Sequence, residues 1–514
     1  MSNWNQKYKY DLPSTFASSK EINPLYLHYV LSSKGFACPD FKEGNTLFIG
    51  CGNGLSLSMH TACNSSHWKG IEFNPVSVNS AKRRAKQCHI AIDLCADDLE
   101  ALAQRDDLPK FDLICVPAVW SWIAKEDQER LIDIISKHLN DGGVLFMSYN
   151  CTVGMINYES VRELLKLYDT THHIDSLNDQ ERMMSLSKFL FPVVEKNAIF
   201  VCSQPDFSDR LIEANHNPKP FLSESLNTYW SMDHFSEVSK RLERADVGYV
   251  CSANSVDNLD NINLTKEQRD FLEPLLGTNL YEETRDFMVN QRSRFDIYIK
   301  GAVPLNPNEY LAEVSSHFIT LMIDISGFDY VLEGNQGPVE LDKSIYEPLL
   351  AILSDNSPKN IGAMIDAMLQ HNAELNITDI IEAINTLIFA GVCSLAQDPR
   401  TISEETLNQC LMLNINTINN FQEKETINLC SPLLQDLVTI DPMDAYMLRM
   451  VIANPNCNYL HIVEGLLTLN VQGVISINSQ DGTVSEDQII ESATNLAKTF
   501  LENTLVTYKN LMLI

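Results

Sequence analysis

Residues 47–60, LFIGCGNGLSLSMH, decide how the first part of this chain folds. An apolar run enters Gly50, and Gly52 and Gly54 follow before a helix-like stretch. A glycine has no Cβ, so backbone and ligand can approach each other closely there. A helix that starts after such a turn points its free N–H groups at the same place. The stretch therefore predicts a strand, a tight turn beside a ligand, and a helix that begins near Gly54.

Working outward, strands and helices alternate over roughly the first 160 residues. The predicted strands are 46–50, 68–73, 89–95, 111–116 and 144–150. A helix follows 68–73, with Asn74 as N-cap and Pro75 as first helical residue. Another covers 125–140 and is predicted to stop at the DGG of residues 141–143. Apolar strands that alternate with helices predict a doubly wound, Rossmann-like parallel sheet, with ligands at the carboxyl ends of its strands.

Three strand ends carry the expected cofactor site. The glycines are spaced G-x-G-x-G, as in class I S-adenosylmethionine methyltransferases, rather than the G-x-G-x-x-G of dinucleotide enzymes. Glu72 ends the second strand, where a carboxylate can accept hydrogen bonds from both ribose hydroxyls. Asp97 or its neighbour Asp98 follows the third strand and can accept from an adenine amino group. The predicted S-adenosylmethionine-binding residues are Gly50, Cys51, Gly52, Asn53, Gly54, Glu72, Phe73, Asn74, Asp97, Asp98, Leu99, Val116 and Pro117.

Composition and charge restrict the kinds of molecule that the chain is expected to bind. The chain has 514 residues and a formal net charge of −30, which argues against nucleic acid and favours a basic protein segment or a lysine-bearing substrate. Its 13 cysteines are scattered without a CxxC pair, which is typical of reduced cysteines in the cytosol and predicts no metal site. No stretch approaches the roughly 20 apolar residues of a membrane span. The expected protein is cytoplasmic and not inserted in a membrane.

The alternation stops after about residue 167, which predicts three domains. Residues 1–168 form the cofactor-binding domain with an N-terminal lid segment, and residues 169–302 form a mostly helical middle domain. Residues 303–514 hold short amphipathic helices that close on Gly391 before a β-element, which predicts a winged-helix-like α+β domain plus a tail.

Several stretches resemble one class I methyltransferase family whose members carry a methyltransferase regulatory domain. They are LFIGCGNG, GIEFNP, FDLICVPAVWSWI and VLFMSYNCTVG in the first part, and HFSEVSKRLERADVGYVCSA (234–253) and RDFMVNQRSRF (285–295) further on. The family includes bacterial protein-lysine methyltransferases of outer-membrane proteins. The resemblance implies a protein substrate, lysine as the methyl acceptor, a regulatory middle domain and a homodimer.

The chain departs from the family pattern near the expected site. Phe48 stands where the family has an acidic residue that helps to hold the cofactor's methionine end. If the pocket is only weakened, Phe48→Glu is expected to tighten cofactor binding. Pro117 and Ala118 replace His-Gly, and Val153 replaces a proline. These losses leave open a degenerate protein that binds the cofactor without turnover.

Candidate catalytic residues follow the fourth and fifth strands. Methyl transfer requires a neutral nucleophile held close and in line, so positioning supplies most of the catalysis. Trp120 is expected either to line a substrate wall or to pack beneath the sheet edge. Tyr149 and Asn150 are expected to hydrogen-bond a target amine, with core-edge capping as the alternative. Tyr10 belongs to the segment expected to cover the site.

Three functions remain open from the sequence: a protein methyltransferase acting on lysine, a small-molecule methyltransferase of the same fold, and a binding or assembly protein without turnover. The accessory part, about two thirds of the chain, favours a bulky substrate.

Overall fold

A seven-stranded sheet forms the centre of the first 300 residues. The computed structural model describes residues 20–196, 198–203, 207, 211–212, 221, 225–325, 327–334, 337–421, 427–454, 456–477 and 485–514. The strands of the sheet are β1 Asn45–Ile49, β2 His67–Ile71, β3 Asp93–Cys95, β4 Phe111–Val116, β5 Leu139–Asn150, β6 Val247–Ser252 and β7 Ser293–Lys300. Their order is β3-β2-β1-β4-β5-β7-β6, with β7 antiparallel to both its neighbours. The predicted doubly wound architecture is confirmed.

Helices cover both faces of this sheet. The described helices of the first 300 residues are α1 Pro24–Ser33, α2 Leu55–Cys63, α3 Pro75–Gln87, α4 Leu99–Ala103, α5 Lys125–His138, α6 Thr152–His172, α7 Asp179–Glu195, α8 Ile199–Cys202, α9 Phe235–Leu242, α10 Asp260–Asn263, α11 Lys266–Leu272 and α12 Asn279–Val289. Leu57 of α2 and Val78 of α3 pack on one face, and Leu102 of α4 and Leu131 of α5 pack on the other. Two hydrophobic cores result, one on each face.

Most predicted strands and helices lie where the local signals put them, and one stop signal is wrong. The DGG of residues 141–143 does not end the helix, because α5 already ends at His138 and these residues belong to β5. Gly142 has φ +76, so the strand has an irregular start rather than a separate turn. The β4–β5 register also shifts between Phe111 and Leu113.

The sheet crosses the predicted boundary at residues 168 and 169. Residues 144–150 of β5 pair with residues 293–299 of β7, and β7 pairs with β6. The last two strands of the sheet therefore come from the predicted middle domain. Helices α6 to α8 lie in the chain between β5 and these strands, and their described residues contribute to a small separate core.

The remaining residues add a largely helical region. Its strands are β8 Phe318–Leu321, β9 Val331–Gly334, β10 Gly337–Glu340, β11 Lys359–Asn360, β12 Cys393–Ala396, β13 Ile427–Ser431 and β14 Asp436–Ile440. Its helices are α13 Pro307–Ser316, α14 Lys343–Leu353, α15 Ile361–His371, α16 Ile377–Phe389, α17 Glu404–Asn420, α18 Pro442–Ala453, α19 Tyr459–Val471, α20 Glu486–Thr499 and α21 Leu505–Asn510. Among the described helices of the chain, none is both long and apolar enough to cross a bilayer.

Three helices followed by a strand, α14 to α16 and then β12, occupy the stretch expected to be winged-helix-like. The sheet beside them has the order β11-β8-β12, so its central strand precedes the helices in the chain. The winged-helix assignment stays a prediction. Ile384 and Leu387 of α16 share one core cluster with Phe48 and Phe146 of the main sheet. The two regions therefore share one hydrophobic core.

Candidate functional site

The glycine turn lies between β1 and α2, as the sequence predicts. Gly50, Gly52 and Gly54 have φ values of +78, +54 and +71, a region that side chains other than glycine rarely adopt. A Cβ on Gly50 would lie 2.4 Å from Cγ2 of Val119, and one on Gly54 would lie 2.4 Å from Cβ of Ala81. The glycines thus let the loop after β4 and helix α3 pack directly on the turn. Helix α2 begins at Leu55 without a side-chain cap from Gly54.

Glu72, immediately after β2, holds the turn from below. Its carboxylate accepts hydrogen bonds from the backbone N–H of Gly52 (2.8 Å, to Oε2) and of Asn74 (3.0 Å, to Oε1). The residue is only 5% exposed, and burial raises the pKa of its carboxyl group, while backbone N–H groups of Asn74, Gly52 and Phe73 oppose that rise. Within the described residues no Lys or Arg forms an ion pair with it.

This environment suits the ribose of S-adenosylmethionine. A buried carboxylate without a cation is costly unless further donors reach its oxygens. The two Glu72 oxygens offer about four lone-pair sites, and backbone N–H groups of Gly52, Asn74 and Phe73 approach them, so the carboxylate can still accept from a further donor. Two neighbouring hydroxyl groups are donors of the required kind. The residues present thus fit the cofactor at the position that the sequence predicts.

The other predicted cofactor residues lie around the same edge of the sheet. Asn74 caps α3 by accepting from the N–H of Val76 (2.8 Å). Asp98 caps α4 by accepting from Ala101 (2.8 Å), and Asp97 pairs with Arg105 (3.0 Å). Both aspartates thus have protein partners, and a contact of either with adenine stays a prediction. Two of the remaining predicted residues, Asn53 and Phe73, are half-buried. The others are buried: Cys51, Leu99, Val116 and Pro117.

The loop after β4 has a left-handed residue at its centre. Ala118 has φ +52, and its N–H donates to Oγ of Ser148 (2.8 Å). The resembled family has glycine at this position, the residue that adopts such a φ without strain. The loop brings Val119 against Gly50, and it closes this side of the cofactor turn.

Phe48 does not line the site. It is 2% exposed, and its ring lies edge-on to Trp68 with centroids 6.3 Å apart. It belongs to the core shared with the C-terminal region. A glutamate here would bury a charge in that core, so the expectation that Phe48→Glu tightens cofactor binding is corrected to a loss of stability.

The sequence predicts Trp120 and Tyr149 near the substrate, but both side chains are buried against residues from later parts of the chain. Trp120 is 0% exposed; its Nε1 donates to Asp233 (3.0 Å), and the Arg241 guanidinium lies 4.5 Å from its ring centroid. The Tyr149 hydroxyl donates to Asp296 (2.7 Å), and burial raises the pKa of Tyr149 well above its usual value. In both cases the structure has the packing arrangement that the sequence left open.

Asn150 is the predicted catalytic residue that keeps exposed surface at the end of β5. Its backbone N–H donates to Oγ of Ser121 (2.8 Å), and its side-chain Nδ2 donates to the carbonyl of Ser231 (3.4 Å). Its Oδ1 is an acceptor at the carboxyl edge of the sheet. Tyr10 lies outside the described residues.

The sequence missed a segment that crosses the ends of β4 and β5. Ser231 donates its N–H to the carbonyl of Ser121 (2.7 Å), and Asp233 donates its N–H to the carbonyl of Asn150 (3.0 Å). Asp233 also accepts from Trp120. The stretch NTYWSMD, residues 227–233, has no periodic pattern that would place it there. Its aromatic and polar composition was the available signal.

Strand order, glycine turn and acidic strand end together define the class I S-adenosylmethionine methyltransferase fold. Comparison with known families agrees. Residues 47–143 match the methyltransferase domain, and residues 217–300 match the predicted methyltransferase regulatory domain. The chain is therefore an S-adenosylmethionine-dependent methyltransferase with a regulatory domain, and that regulatory segment contains β6 and β7.

Solved structures with the same overall fold include PKMT2 from Rickettsia typhi. Over 96% of this chain and 99% of that one, the TM-score is 0.70 at 18% identity. For PKMT2 in complex with AdoHcy (S-adenosylhomocysteine) the TM-score is 0.71 at 17% identity, over 98% and 99% of the chains. Among curated proteins, sll1526 of Synechocystis is 25% identical over 364 residues, which cover 70% of this chain and 71% of that protein.

Proposed function

We propose that this methyltransferase transfers the methyl group of S-adenosylmethionine to lysine side chains of a protein. Its likeness to PKMT2, a protein lysine methyltransferase, supports this, since it extends over the accessory regions as well as the catalytic one. The net charge of −30 supports a cationic acceptor, because a negative field attracts a protonated lysine. The observation that carries cofactor use is the buried carboxylate of Glu72, which forms no ion pair within the part of the chain that the structure describes.

Each residue of the edge has a task in this scheme. The Glu72 oxygens would accept hydrogen bonds from the two ribose hydroxyls, and Asp97 or Asp98 would accept from the adenine amino group. The cofactor, when bound, would supply an electrophilic methyl group on a sulfonium. Val119 packs against the turn at Gly50 and limits access of water to the turn from that side.

Asn150 acts on the acceptor. Its Oδ1 would accept a hydrogen bond from the target amine and so orient the nitrogen lone pair for transfer, while its Nδ2 donates to the carbonyl of Ser231. Positioning of this kind is where most of the rate enhancement for a methyl transfer arises. No described residue has to act as general base, because the lysine ammonium can lose its proton to water before transfer.

The test uses the full chain, S-adenosylmethionine labelled with tritium in the methyl group, and a lysate of methyl-accepting proteins. We expect label in protein, and in methyl-lysine after acid hydrolysis. Asn150→Ala should lower kcat by about tenfold to a hundredfold while cofactor binding changes little, as expected for a lost positioning contact. Label confined to the small-molecule fraction would support the alternative small-molecule enzyme. Cofactor binding without any transfer would support the degenerate protein.

A further inference from the structure

Three cysteines that lie far apart in the sequence converge at one point. Cys63 ends α2, Cys410 lies in α17, and Cys430 lies in β13. Their Sγ atoms are separated by 3.0 Å (63 to 430), 3.5 Å (410 to 430) and 3.7 Å (63 to 410). All three residues are buried, and in the described part of the chain theirs is the group of side chains with metal-ligand geometry.

The side chains packed around the three thiols are mostly apolar, with Ala62 and Leu413 among them. The Asp436 carboxylate acts electrostatically on the Cys430 thiol. The Asn414 side chain fixes the Cys430 backbone on both sides, since its Nδ2 donates to the Cys430 carbonyl (2.8 Å) and its Oδ1 accepts from the Cys430 N–H (2.6 Å). Outer contacts that orient a ligating residue in this way are typical of metal centres.

We propose that Cys63, Cys410 and Cys430 form a three-thiolate site for a soft metal cation, Zn²⁺ or Cu⁺. Thiolates select these ions, and a Zn–S bond of about 2.3 Å allows one ion to touch all three sulfurs. Binding releases the thiol protons to solvent and forms three metal–sulfur bonds. Because the three sulfurs are buried, a substrate cannot reach an ion there and the site would be structural; Zn²⁺, which prefers four ligands, would need one donor besides the three sulfurs.

A disulfide and three free thiols are the two simpler alternatives to a bound metal ion. A disulfide needs a sulfur separation of about 2.05 Å and joins only two of the three cysteines, so the third sulfur stays outside the bond. Three free thiols also have acceptors within reach, because Cys63 can donate to the carbonyl of Ser431 (3.6 Å) and Cys410 to that of Ala62 (3.7 Å). An ion satisfies all three sulfurs at once.

The position of the site gives it a consequence for the enzyme. Helix α2 starts at the cofactor turn and ends at Cys63, while the other two ligands belong to the C-terminal region. A metal here would fix the far end of the cofactor-binding helix to α17 and β13. The inference rests on these contacts and does not depend on the identity of the methyl acceptor.

The experiment measures metal directly in the full chain. Wild-type protein is purified under reducing conditions, depleted with a chelator, and reloaded with Zn²⁺ or with Cu⁺ under anaerobic conditions in separate samples. Metal content is measured by mass spectrometry, and metal–sulfur distances by X-ray absorption. We expect one ion per chain, bound through sulfur, with the two arms identifying the preferred cation. Cys410→Ser should lose it, whereas Cys88→Ser, a buried cysteine of the same apolar cluster outside the triangle, should keep it.

Three results would overturn the site. The first is a wild-type chain that binds neither ion while its three thiols titrate as free groups. The second is a Cys63–Cys430 disulfide in the protein as isolated, seen as a cross-linked peptide. The third is metal retained undiminished in Cys410→Ser. Because the first two measurements use wild-type protein, the proposal remains testable even if the cysteine variants fold poorly.

Discussion

At the scale of single residues, Glu72 links the fold to the chemistry. Its carboxylate joins the backbone of Gly52 to that of Asn74, so it orders the turn before any ligand binds. Its raised pKa means that acid protonates it more readily than an exposed glutamate. Cofactor affinity should therefore fall as the pH is lowered through that raised pKa, because the protonated group accepts fewer hydrogen bonds.

Glu72→Gln should weaken S-adenosylhomocysteine binding by at least tenfold, about 1.4 kcal/mol, as measured by titration calorimetry. The amide places an NH2 donor against two backbone N–H donors, and it can no longer accept from both ribose hydroxyls. The control is Glu100→Gln, an exposed acid on α4, which should bind as wild type. Equal affinity in a folded Glu72→Gln protein would contradict the assigned ribose contact.

Ala118→Gly tests the left-handed residue of the loop after β4. Glycine adopts φ +52 without the Cβ penalty, so the free energy of unfolding should rise by up to about 1 kcal/mol in urea titrations. Ala101→Gly, in the interior of α4, should instead lower it by about 1 kcal/mol. A loss of stability in Ala118→Gly would mean that the backbone strain is not borne at this position.

At the scale of elements, sequence patterns among neighbouring residues predicted most strands and helices, but they did not predict which distant elements come together. Asn74 with Pro75 predicted the start of α3, and the apolar run 111–116 predicted β4 with the bounds that the structure has, because caps and strand ends depend on neighbouring residues. The pairing of β5 with β7 joins residues more than 140 positions apart, and no nearby pattern encodes it. The convergence of Cys63 with Cys430 was missed for the same reason. Tyr149 and Trp120 were placed on the correct strand ends, but their burial depends on the segment at 227–233 and on β7.

The contact between β7 and α12 offers a pH test. Arg294 bonds to Asp286 (2.6 Å), Asp296 (3.0 Å) and Glu282 (2.8 Å), so one guanidinium serves three carboxylates. Burial raises the pKa of Asp286 to about 7, although Arg294 opposes the rise. The folded state therefore binds a proton that the unfolded state has released between about pH 4 and 7.

The sign follows from this proton balance. Stability should fall as the pH rises from about 4 to 7, by at most about 1.4 kcal/mol per pH unit, and should level off above that range. Asp286→Asn should flatten the dependence, as measured by urea unfolding at pH 5 and pH 8. Asp106→Asn, on an exposed carboxylate, is the matched control and should keep the wild-type slope. An unchanged slope in Asp286→Asn would assign the proton to another group.

At the scale of the whole molecule, the predicted three domains do not separate cleanly. Tyr29 of α1 donates to Asn385 of α16 (2.6 Å), and Asn23 donates to the carbonyl of Leu434 (2.9 Å). These buried contacts lie within or beside a continuous hydrophobic core. A chain cut after residue 302 should therefore expose that core and aggregate, as measured by size-exclusion chromatography. Co-expression with residues 303–514 should restore a soluble complex. A monomeric, cofactor-binding fragment 1–302 would show that the first region folds alone.

The strand order of the sheet also determines when its paired strands become available during translation. Strand β5 is finished at Asn150, but its partner β7 begins only at Ser293, so the ribosome must make the whole inserted segment before the two can meet. Until then the nascent chain carries an open strand edge, which is a template for unwanted pairing. Helices α6 and α7 emerge during this interval and form their own small core. The regulatory segment thus completes the catalytic domain late in translation. A chain terminated before residue 300 would leave the edge of strand β5 unpaired.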